Sequence, residues 1–191
     1  MSRFLAVKDA RWFRALLFAL GIVASACHDD TSSRPRAPPP DGGLICTACS
    51  GECAETLAIA SSRHVEGAVS YSDEPPAGGD HSACWATWGV HSVAVAPEHW
   101  VHNLEHGGIV LLYVCPAGCA ADVARLEDFV GTHPRTLLTP YPKLPERFAA
   151  VAWGRRLVSG CLDLGAVGSF YDAFFDAAPE SYRDDPPAGC P

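Results

Sequence analysis

Hydrophobic positions along the chain fall into a few short blocks with different periods. Ile109 to Val114 (IVLLYV) is an unbroken apolar run rich in β-branched residues, the pattern of a strand covered on both faces. Ala120 to Val130 places Val123, Leu126, Phe129 and Val130 at helical spacing, with charges between them. Arg135 to Thr139, Phe148 to Trp153 and Arg156 to Ser159 read as further strands. Val167, Phe170, Tyr171 and Phe174 recur at i, i+3, i+4 and i+7, which predicts a helix over Leu164 to Ala177. Gly67 to Tyr71 alternates like a short strand, and Pro75 to Asp80 has the Pro and Gly of a loop. Trp85 to Val95 reads as strand or irregular core. The order strand, helix, strand, strand, helix predicts a single α+β domain: a mixed β-sheet with two packed helices.

The N-terminus follows a different logic. Arg3, Lys8, Arg11 and Arg14 precede an apolar run from Ala15 to Ala24, which is too short to span a bilayer. Ala24-Ser25-Ala26 then offers small residues for cleavage ahead of Cys27. Residues 1–26 therefore read as a signal peptide and the protein as exported. The string resembles a bacterial lipobox, with Ala24 where Leu is usual. Residues 27–43 read as a lipid anchor at Cys27 and a Pro-rich tether, and residues 44–191 as one His- and Cys-rich domain. The expected partner is a membrane, held through the N-terminal lipid, on a periplasmic or extracellular face.

Cysteine number fits that expectation. The chain has nine Cys, and lipidating Cys27 leaves eight that can pair in an oxidising compartment. The sequence does not choose their connectivity. Cys115-Pro116-Ala117-Gly118-Cys119 sits between the best strand and a helix, where either a redox pair or a structural disulfide is expected. Its C-x-x-x-C spacing is one residue longer than the thioredoxin motif, which favours the structural bridge. Loss of residues 1–26 lowers the 14 basic residues to 10 and the 22 acidic ones to 21. Such an acidic chain lacks the basic patch that nucleic acid requires.

Candidate chemistry concentrates between His81 and His106, which holds five of the eight His and three of the five Trp. Pro97 and Glu98 favour the first turn of a helix, and Gly107 its end. On that helix His99, His102 and His106 share one face, and one metal can be held by His102 and His106. As a strand, residues 102 and 106 would stand about 13 Å apart, and a second ligand would have to come from elsewhere, first from His81. Imidazole ligands suit copper or zinc. Met1 is the only Met, so a thioether-rich copper(I) site is excluded.

The segment Trp100 to Gly108 (WVHNLEHGG), followed by an apolar strand ending in Tyr113, resembles the bacterial family called domain of unknown function 3105. Pro75-Pro76, Gly79, His81, Trp85 and Trp88-Gly89 are similar to that family's pattern. So are Thr139-Pro140-Tyr141, Ala152-Trp153-Gly154 and Ala178-Pro179-Glu180. The resemblance implies His81, His102, Glu105 and His106 as the metal site and supplies no reaction. His91 replaces the usual aromatic after Val90 and is either a further ligand or a surface change.

Two rival chemistries share these residues. His102-x-x-Glu105-His106 matches the H-x-x-E-H pattern of a metal-dependent hydrolase, with Glu105 as base and Glu180 as a third ligand. A thiol–disulfide or structural interaction domain is the other. No G-x-S-x-G elbow, Walker motif or dinucleotide glycine pattern is present.

Overall fold

The structure is a computed structural model that describes residues 44–181. Its elements in chain order are β1 (Glu55–Thr56), β2 (Gly89–Val90), α1 (Pro97–Glu105), β3 (Ile109–Tyr113), α2 (Ala120–Thr132), β4 (Thr136–Pro140), β5 (Phe148–Ala152), β6 (Arg155–Ser159) and α3 (Leu164–Phe174). The strands form one mixed sheet in the order β1-β6-β5-β3-β4-β2. β3 lies at its centre, parallel to β4 through the α2 crossover and antiparallel to β5.

The apolar run of β3 is continuous because both of its faces are covered. Ile109 and Leu111 point into a core that α2 and α3 close with Leu126, Phe129, Val167 and Phe170. Val110 and Leu112 point into a second core on the other face, with Trp100, Val101 and Leu104 of α1 and with Tyr141. Alternate strand residues thus feed opposite layers. β5 and β6 form a hairpin across Trp153-Gly154, where Gly154 takes φ +68 and spares a side chain that strain.

Among the described residues three helices pack on the sheet, the two expected ones and the turn around His102, which is a complete helix. Two expectations need correcting. Gly67 to Tyr71 is not a strand: the segment finds no strand partner among the described residues, Gly67 turns it at φ +82, and Tyr71 instead donates to the Asp80 carbonyl at 2.8 Å. The last helix ends at Phe174, three residues early, because Phe175 is extended and Asp176 takes φ +63.

Three disulfide pairs are present among the described residues: Cys46–Cys53, Cys49–Cys161 and Cys115–Cys119. Cys49–Cys161 joins the segment before β1 to the loop before α3. Asp163 reinforces the same seam. It accepts from Ala48 N at 2.7 Å while capping α3 through Gly165 N and Ala166 N. No helix among the described residues is long and apolar enough to cross a membrane.

Candidate metal centre

Helix α1 carries the candidate site. Pro97 opens the helix, and Trp100, Val101 and Leu104 bury one side of it in the second core. The other side meets an irregular stretch, residues 81–86, and side chains of α1 satisfy that stretch's backbone. His102 Nδ1 bonds the Ser82 carbonyl at 2.8 Å, and His99 Nδ1 bonds the Cys84 carbonyl at 2.7 Å. Asn103 takes both ends of one residue: its amide donates to Ala86 O at 2.9 Å and accepts from Ala86 N at 3.0 Å. Residues 63–65 then lie beside His81, with Val65 N donating to His81 O and His81 N to Arg63 O. This pairing brings His64 next to His81.

At the C-terminal end of α1 the His102, Asn103 and Leu104 carbonyls are met locally, by the N–H groups of His106, Gly108 and Gly107, and tertiary partners meet the carbonyls that follow. Glu180 N donates to Glu105 O, Arg135 Nη1 to His106 O, and Asp176 N to Gly107 O. Arg135 also pairs with Asp176 at 2.7 Å, and both residues hold positive φ. The backbone strain of two non-glycine residues is concentrated in this latch. Both glycines after His106 are required by space. Gly107 takes φ +80, and a Cβ on Gly108 would fall 2.2 Å from the Trp88 ring.

One donor atom from each of His64, His81, His102 and Glu105 lies within 4.8 Å of the others. Donors of a tetrahedral zinc site stand about 3.4 Å apart, so sub-ångström to ångström shifts would close a coordination shell. His81, His102 and Glu105 are buried at 0, 2 and 3% exposure, whereas His64 is exposed. This His/Glu group could hold a metal ion.

Hydrogen placement makes the group more specific. A carbonyl oxygen only accepts, so an imidazole nitrogen facing one must carry the proton. Nδ1 of His81 faces Gly79 O, Nδ1 of His102 faces Ser82 O, and Nδ1 of His106 faces Glu180 O, each at 2.8 Å. In the neutral rings all three Nε2 atoms are therefore bare lone pairs. They meet electron-rich partners: His81 Nε2 lies 2.9 Å from Glu105 Oε2, and His102 Nε2 lies 2.8 Å from His106 Nε2. Burial pushes the His102 pKa down to about 4, so that ring supplies no proton at neutral pH. Lone pairs packed against lone pairs and a carboxylate repel unless a shared proton or a metal cation lies between them. Trp85 stacks edge-on to His102 and His106 and screens the pair from water.

Of the residues named from the sequence, His81, His102 and Glu105 come together directly. His106 is outside the four-donor group and reaches it through His102. Glu180 contributes its backbone carbonyl to His106, not its carboxylate. His91 Nε2 bonds the Thr87 carbonyl and His99 Nδ1 the Cys84 carbonyl, and neither residue is in the four-donor group. His64 was not among the ligands expected from the sequence; it lies 17 residues before His81, and only the parallel pairing of the two segments reveals it. Cys115–Cys119 follows the far end of β3, a strand length of about 13 Å from the end that meets α1, and does not share the site. Cys27 lies outside the described residues.

Comparison with curated proteins and with solved structures gives no match. A family model matches residues 64–187, from the first histidine of the donor group to just beyond the latch. The chain belongs to the family described as protein of unknown function (DUF3105).

Proposed function

We propose that the protein is an exported lipoprotein, anchored through Cys27, whose domain binds one transition-metal ion, copper or zinc. His81 and His102 are ligands, His64 and Glu105 complete the set, and His106 supports His102 or joins the shell. The observation that carries the metal reading is the convergence of carbonyl-pinned imidazoles. Each Nδ1–H held by a backbone carbonyl fixes the tautomer that offers Nε2 to a metal, the usual outer-shell arrangement of histidine sites. An all nitrogen and oxygen donor set without thiolate suits Zn(II) or Cu(II). Export and lipidation are supported by the N-terminal layout, the lipobox-like string and a cysteine count that leaves eight for disulfides.

The burial of His81, His102 and Glu105 favours binding over hydrolysis. A hydrolase needs an open metal position beside a substrate cleft. The cavity of about 280 Å³ among the loops of residues 57–61, 69–73 and 76–80 stops at Asp80 and contains none of the donors. The full chain, produced with its disulfides intact, should retain about one Zn(II) or Cu(II) after dialysis. His81→Ala and His102→Ala should each reduce this to a small fraction, measured by elemental mass spectrometry. A parent without stoichiometric metal, or variants that keep it, would end the metal reading. Palmitate labelling that persists in Cys27→Ser would end the lipid reading.

A further inference from the structure

The histidines of the site fall into two kinds. His81, His102 and His106 are buried, and each ring is fixed by an Nδ1 hydrogen bond to a carbonyl. His64 is exposed, and among the described residues no hydrogen bond orients its ring. It touches the group only through ring contacts, at 5.0 Å from His81 and 4.8 Å from His102. Its backbone position is nevertheless fixed, since Val65 N and Arg63 O pair with His81 on either side. Asp80 secures the same segment: it accepts from Arg63 N at 3.1 Å and Arg63 Nη2 at 2.7 Å, and it also bonds the Ser61 hydroxyl. The chain thus holds an untethered imidazole at the mouth of a buried and tethered donor set.

We infer that His64 is the exchangeable ligand: the metal enters and leaves past its ring, and an external imidazole-class donor can take its place on the ion. The inference rests on the metal-binding reading above. A buried ligand pinned from behind cannot leave the ion without breaking its carbonyl bond and opening packed structure. Leaving costs His64 neither, because water replaces the ion beside an exposed ring. The exchange breaks the His64–metal bond and forms one new donor–metal bond, with no change of oxidation state. A site organised in this way suits transfer of a metal to or from a partner that presents its own histidine.

The test compares the full chain with His64→Ala, both loaded with Zn(II), by stopped-flow transfer of the ion to a chromogenic chelator. His64→Ala should still hold about one ion per chain after dialysis and release it about tenfold faster, because the change falls on the off-rate. Millimolar free imidazole should slow release from His64→Ala back toward the parent rate and leave the parent unchanged. Three results would overturn the inference. In the first, release from His64→Ala matches the parent. In the second, His64→Ala loses the ion as completely as His81→Ala, making His64 an integral ligand. In the third, imidazole has no effect on the variant. A parent that binds no Zn(II) would instead overturn the underlying reading, and this inference with it.

Discussion

Asn103 and Gly108 show how tightly single residues of the WVHNLEHGG segment are constrained. Asn103 is fully buried, and its amide is the partner of both polar groups of Ala86. Asn103→Ala should destabilise the fold by roughly 2–4 kcal/mol, because a buried N–H and a buried C=O lose their partners together. It should also weaken metal binding, since the loop it holds carries the Ser82 carbonyl behind His102. Urea unfolding and metal titration of the same variant measure the two effects. Gly108→Ala would press a methyl against Trp88 and should cost about 1–3 kcal/mol by overpacking, read from the shift in urea midpoint. The sequence disclosed His102 through the helical spacing of His99, His102 and His106, and His81 and Glu105 through the family resemblance. It concealed His64, an isolated histidine in a segment without periodicity, because only a tertiary pairing places it. The hydrogen-bonded tautomers were equally hidden, since their acceptors are backbone carbonyls from distant loops and any residue type supplies those.

At the level of elements, α1 depends on what surrounds its ends. The carbonyls of Glu105, His106 and Gly107 at its C-terminal end are satisfied by Arg135 and by the segment 176–181, which also supplies the carbonyl that fixes His106. Arg135→Gln should lower metal affinity about tenfold while leaving the sheet intact, as loss of an outer-shell partner does elsewhere. Competition against a chelator measures the affinity, and far-UV circular dichroism checks the fold. Helix α3 depends on Asp163, whose hydrogen bonds from the Ala48, Ala166 and Gly165 N–H groups hold its carboxyl below the usual carboxylate range. A depressed folded pKa means that the unfolded chain takes up the proton first. The stabilisation is therefore present above the unfolded carboxylate value of about 3.9 and is lost as pH falls through the lower folded value. Asp163→Ala should remove about 1 kcal/mol at pH 7 and show a smaller loss relative to the parent at pH 2.5. Urea midpoints at the two pH values give the comparison. The long elements were legible because their apolar periods are strong. Gly67 to Tyr71 misled because five alternating residues do not make a strand without a neighbour to pair with.

Across the whole molecule, a mixed sheet with both faces covered supplies a rigid base, and the Cys49–Cys161 bridge ties the chain's early segment to α3. That bridge closes a loop of 112 residues, so Cys49→Ser/Cys161→Ser should lower stability by about 4 kcal/mol, detected by chemical denaturation. The mixed sheet and the preference for disulfides were readable from the order of elements and the cysteine count. The actual pairing was not, because eight cysteines permit 105 connectivities and only the fold selects among them. The cores on the two faces of β3 place α1 so that its polar side faces residues 81–86 and 63–65, and there the donor set forms. X-ray absorption at the metal edge of the loaded protein tests that arrangement most directly. The account predicts a first shell of nitrogen and oxygen only, at about 2.0–2.1 Å, with the outer-shell scattering of at least two imidazoles. A sulfur shell near 2.3 Å, or a water-only shell without imidazole scattering, would contradict it.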